Sequence, residues 1–128
     1  MRTYAQSVCL FCVVLLTGCA SDINSGDLRL AQEIRQGMTP DQVAQTMAGK
    51  QIVAREFAKN YEEWHFCESK PWGGDQKFVA VYFIEGEVAS MKYYSAWHGS
   101  GDCQAVVKKG NYREPDYIRE YRIKLGRN

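Results

Sequence analysis

Residues 77–84 read KFVAVYFI, apolar at seven of eight positions, so a strand there has no polar face to turn toward water. Phe78, Ala80, Tyr82 and Ile84 would line one side, and Val79, Val81 and Phe83 the other. Residues 61–67, YEEWHFC, alternate, with Trp64 and Phe66 on one face and His65 and Cys67 on the other. Residues 88–95 follow a tight turn at Glu85-Gly86 and predict a third strand, while residues 70–76, KPWGGDQ, read as a loop.

Upstream the apolar period lengthens from strand to helix. Leu28, Ala31 and Ile34 stand at helical spacing before Gly37, predicting a short helix over 28–36. The strongest local signal is GMTPDQV, residues 37–43. Thr39 is placed as N-cap, Pro40 as the first helical residue and Gln42 as the other half of a capping box, with Met38 and Val43 at the hydrophobic-staple positions. A helix over 40–48 follows, offering Val43, Ala44 and Met47 to a core and ending at Gly49. The expected fold is therefore α+β, with two short N-terminal helices packed on a three-stranded antiparallel meander. Two helices can cover only one face, so a C-terminal extension is expected to cover the other. Residues 115–125 fit a helix through Tyr117, Ile118, Tyr121 and Leu125, and equally a strand through Tyr117, Tyr121, Ile123 and Leu125.

The amino terminus changes the picture. Arg2 precedes an apolar run over 8–16 and the small residues Thr17 and Gly18, the layout of a secretion signal. Nine apolar residues fall well short of the roughly 20 that a spanning helix needs. Leu16-Thr17-Gly18-Cys19 resembles the lipobox of bacterial lipoproteins, which implies cleavage after residue 18 and acylation of Cys19. Two or more acyl chains, at about 0.8 kcal/mol per buried methylene, anchor stably. Ala20 after the cysteine implies, by the same resemblance, the outer membrane facing the periplasm. The expected organisation is a signal peptide over 1–18, a lipidated spacer over 19–27, a domain over 28–103 and a basic extension over 104–128.

Of the 128 residues, 110 remain after such cleavage, enough for one modest core. They carry 15 basic and 15 acidic side chains, a balance that argues against nucleic acid as a partner. The charges are unevenly placed: residues 19–103 hold eight Lys/Arg against twelve Asp/Glu, and residues 104–128 hold seven against three. A solvated tail is the plain meaning, and contact with anionic lipid headgroups the functional one.

The order of elements resembles the SmpA/OmlA (BamE-like) family of small outer-membrane lipoproteins. The matching residues are IRQGMTPDQV over 34–43, Ala48-Gly49, Trp64-His65-Phe66, and Val81-Tyr82-Phe83 leading to Gly86-Glu87-Val88. The resemblance covers about residues 28–95 and implies a helix-helix-sheet domain serving an envelope protein complex, β-barrel assembly being the family's example. The same unit also serves periplasmic inhibitors of soluble enzymes, the alternative reading.

No nucleophile elbow, phosphate loop or paired-carboxylate signature is present, and no enzymatic activity or cofactor is expected. Cys67 and Cys103, left over after lipidation in an exported chain, predict a disulfide; His65-x-Cys67 with His98-x4-Cys103 could instead assemble zinc. The aromatic-rich second half supplies partner-binding candidates in Trp97 and Tyr94, joined by Arg119, Arg122 and Lys124 from the tail. With the disulfide formed, Tyr117, Tyr121 and Leu125 are expected to pack inward and the three cations to stay outside.

Overall fold

The computed structural model describes residues 28–127. The expected signal segment 1–18, Cys19 and the spacer to residue 27 lie outside the described residues. A 3-10 helix, Leu28–Glu33, opens the described residues, followed by α1 (Pro40–Thr46) and four strands, β1 (Ile52–Ala58), β2 (Tyr61–Glu68), β3 (Gly74–Ile84) and β4 (Glu87–His98). A 3-10 turn at Gln104–Val106 leads to α2 (Asp116–Gly126). The strands pair antiparallel in the order β1-β2-β3-β4.

The sheet thus has four strands rather than the expected three, and the helical complement differs as well. The missed strand is β1, which pairs Arg55 with Trp64 and Glu56 with Glu63. Its sequence, IVAREFA, lacks a clean alternation, and its outer four residues are exposed. Pairing with an already buried neighbour, rather than its own apolar pattern, makes it a strand. The first helix is a single 3-10 segment shorter than expected, and the stretch open to helix or strand resolves as a helix, Asp116–Gly126. An α-helix after Pro115 keeps Ile118, Tyr121 and Leu125 on one side, against the sheet.

The capping box at α1 is complete. Gln42 N–H donates to Thr39 Oγ1 at 3.3 Å, and Thr39 N–H donates to Gln42 Oε1 at 2.9 Å. This fixes where the helix starts, and so which face of it meets the sheet. Val43 and Met47 then join Leu28, Ala31 and Ile34 over Trp64, Phe66, Val79, Val81 and Phe83. The opposite face carries a second core: Tyr61, Phe78, Ala80, Tyr82, Tyr94 and Ala96 lie under Cys103, Val106 and Ile118. β3 sits between both. Its residues from Phe78 through Phe83 are all at most 1% exposed, and each large side chain among them contributes about 1.5–3 kcal/mol by burial.

Two devices bring the C-terminal chain onto that second face. Cys67 and Cys103 are bonded, with Cα atoms 6.3 Å apart. Gly110, at φ +63°, lets the backbone lie against β4, where a Cβ would stand 2.2 Å from the Ser95 carbonyl oxygen. Asn111 N–H donates to that same oxygen at 3.0 Å, and its Oδ1 accepts from Ser95 N–H at 2.7 Å.

The disulfide closes a separation of 36 residues. Such a loop stabilises by about 4 kcal/mol in the chain-entropy model. Replacing Cys67 and Cys103 together by Ser should therefore lower the urea midpoint markedly while leaving the α1-side core spectroscopically native. An unchanged midpoint would mean that the cover holds without the bond.

Candidate functional site

Under the C-terminal cover, β2 places Glu63 and His65 on the second face, both fully buried. A carboxylate there is costly unless every oxygen is engaged. Glu63 Oε2 accepts from the Tyr61 hydroxyl at 2.5 Å, and Oε1 accepts from the Tyr112 hydroxyl and from Lys108 Nζ, each at 3.1 Å. His65 Nε2 also bonds Oε1. On its other side, His65 Nδ1 lies 2.8 Å from the Tyr94 hydroxyl, which accepts from Lys108 N–H at 3.1 Å. With that acceptance made, the Tyr94 proton is directed to Nδ1 and the Nε2 proton to Glu63, so every donor in the chain of bonds has an acceptor.

Two cations close the cluster from outside. Lys108, held at φ +60°, also reaches Glu56 Oε1 at 2.7 Å. Arg122 of α2 stands 3.0 Å from Glu114 Oε1, 3.7 Å from Glu56 and 3.8 Å from Glu63. Burial pushes the Glu63 carboxyl up, but the hydrogen bonds from His65 and Tyr61 and the charge of Lys108 outweigh it and hold the group at about 2, below the ordinary 4.5. Burial, first among the causes in each case, raises the Tyr61, Tyr82, Tyr94 and Tyr112 hydroxyls above their usual 10, with the Glu63 charge adding to it. Arg122 is raised too: burial opposes its charge, and Glu114 leads the groups that overcome it.

The partner-binding candidates separate in this setting. Tyr94 is core, 5% exposed and stacked on Phe78 at 4.6 Å between ring centres, so it is corrected from contact residue to packing residue. Arg122 is part-exposed, with its guanidinium also directed to the carboxylates of Glu56, Glu63 and Glu114. Arg119 and Lys124 are exposed. Tyr117, expected inward, is half exposed and donates its hydroxyl to the Ala89 carbonyl at 3.0 Å. Ile118 takes the inward place. The zinc arrangement is not assembled: Cys67 and Cys103 are joined to each other, His65 is bonded within the cluster, and His98 faces Ser100. Among the described residues no group of three or more His, Cys, Asp or Glu could hold a metal ion.

Trp97 remains exposed, at 70%, and it has company. Trp72 is 96% exposed on the β2–β3 turn, and Tyr93 is 49% exposed four residues before Trp97 on β4. In the sequence Trp72 and Tyr93 are two among many aromatics of the second half. Only the pairing of Asp75 with Trp97 and Gly74 with His98 puts that turn beside the end of β4. Glu63 was also missed, because a Glu in YEEWHFC reads as a solvent-facing position until its cations are known. Among the described residues no helix is long and apolar enough to cross a membrane.

The cluster has a pH signature at both ends. Since the folded Glu63 value lies below the ordinary one, its contribution is fully present above about pH 4.5 and is lost as pH falls toward 2. The tyrosines are raised, so their contribution holds below about pH 10 and is lost above it. Tyrosinate absorbance should therefore rise in two phases, the buried four ionising only with unfolding. Glu63→Gln should flatten the acid limb and, by leaving Lys108 and Arg122 short of a counter-charge, cost about 3 kcal/mol at neutral pH. A single smooth alkaline titration with the fold intact would contradict this arrangement.

Compared with protein-family models, curated proteins and solved structures, the chain matches none, so what it does must be argued from its own residues.

Proposed function

We propose that the protein is a lipid-anchored accessory subunit of an envelope protein complex, held by Cys19 at the outer membrane and facing the periplasm, with no catalytic step of its own. The observation that carries the reading is the lipobox-like Leu16-Thr17-Gly18-Cys19 at the end of an apolar run, in a chain whose described cysteines, Cys67 and Cys103, are bonded to each other. A disulfide suits an oxidising compartment, and acylation of Cys19 would supply the anchor. The groups of catalytic type support a structural role. His65 and Glu63 are buried, and each polar atom is committed to an internal partner.

The partner surface in this reading is the outer side of α2. Arg119, Ile123, Lys124 and Arg127 are exposed there, three cations around an apolar side chain. Rim charges of this kind steer encounter, and a central apolar residue supplies contact area. The resemblance to SmpA/OmlA lipoproteins points the same way, toward assembly of outer-membrane proteins.

In cells, Cys19→Ser should shift the protein from the membrane to the soluble fraction and abolish palmitate incorporation. A photo-crosslinker at position 123 should capture membrane-complex subunits from the wild-type background. Capture of a soluble enzyme instead would favour an inhibitor, and a wild-type protein that is soluble and unlabelled would overturn the tether.

A further inference from the structure

The helix-side face of the sheet is only partly covered by the described residues. The 3-10 helix and α1 lie over Phe66, Val79, Val81, Phe83 and Val88. Beyond them, at the end where β2 and β3 are joined, the same face carries Tyr93, Ser95 and Trp97 on β4, opposite Val79, Lys77 and Asp75 of β3. Alternation puts Tyr93 and Trp97 on this side, because Tyr94 and Ala96 belong to the second core. Trp72 projects from the adjoining turn.

We propose that this aromatic end of the domain rests on the headgroup layer of the bilayer in which Cys19 is anchored. The proposal rests on the tether reading given above. Three observations carry it. Trp and Tyr rings with polar neighbours suit the membrane–water interface, where one edge is apolar and the other wet. Here the neighbours are Lys77, Ser95 and Asp75. Second, the tether enters at this end. Leu28, the first described residue, lines a groove of about 410 Å³ together with Arg29, Gln32, Lys77, Tyr93 and Ser95. Third, the reach is short. Cys19 and Leu28 are nine residues apart in sequence, which spans roughly 30 Å at full extension. A domain of about 100 residues has a radius of gyration near 13 Å and so is itself about as wide as that reach. The face that carries the tether's entry point is therefore the face held nearest the lipid. A protein partner would instead want a desolvated pocket around its anchor residues, and these rings stand singly in an open setting.

The chain contains three tryptophans, of which Trp64 is 3% exposed and lies in the helix-side core. That makes fluorescence a direct reporter. The lipidated protein would be reconstituted in phosphatidylcholine–phosphatidylglycerol vesicles with brominated acyl chains, and again in unbrominated ones. At least about half of the emission should be lost to bromine, since two of the three rings lie at the interface. The double variant Trp72→Phe/Trp97→Phe, which keeps Trp64, should be insensitive to bromine. Vesicle-bound protein with unquenched emission would overturn the proposal and leave the aromatic end for a protein partner, as would quenching that persists in the double variant. Protein that does not float with the vesicles at all would overturn the tether reading itself.

Discussion

A strand that is apolar on both faces must be covered twice, and most of this structure follows from that requirement on β3. From Phe78 to Phe83 every side chain is excluded from water. The N-terminal helical pieces are short, six and seven residues, and can meet only Val79, Val81 and Phe83. The remaining side chains, Phe78, Ala80 and Tyr82, require the chain after β4 to return across the sheet. Nothing in residues 99–115 has the apolar density to do this alone. The return is made by a covalent bond at Cys103, a glycine at 110 where no side chain fits, and a helix that presents Ile118, Tyr121 and Leu125.

Such a thin cover leaves room for charge beneath it. Glu63 takes a core position on β2 that an apolar residue could have filled, and its burial is offset only because β2 itself, the loop carrying Lys108 and Tyr112, and α2 all send partners to it. A buried ion cluster is weak as a source of net stability, but removing one member leaves the others uncompensated. It therefore acts to specify one seating of the C-terminal segment. Arg122 can meet Glu56, Glu63 and Glu114 together only when α2 lies in register over Tyr61.

Local signals were legible where they were strong. Thr39, Pro40 and Gln42 announce the start of α1 to the residue, and the alternation of Trp64, His65 and Phe66 assigns faces that the two cores reproduce. The disulfide could be anticipated because the export and lipidation expected from the amino terminus would leave Cys67 and Cys103 to each other. β1 was not legible, since Ala54, Arg55 and Glu56 interrupt any period and the strand exists by pairing with β2. Nor were the roles of Tyr94, Arg122 and Glu63, because an aromatic, a cation and a carboxylate read the same at a surface and in a satisfied interior. The aromatic end shows the same limit, for Trp72 and Trp97 are distant in sequence and come to the same end of the sheet only through the register of β3 with β4.

The central claim is that residues 104–128 are a structural layer of the sheet and not an appendage. Thermal unfolding of the chain ending at Cys103, compared with the full chain, tests it most directly. With Phe78, Ala80, Tyr82 and the Glu63 carboxylate laid open, the truncated protein should lose its cooperative transition and bind a hydrophobic dye. A transition at the same temperature and with the same sharpness would contradict the account.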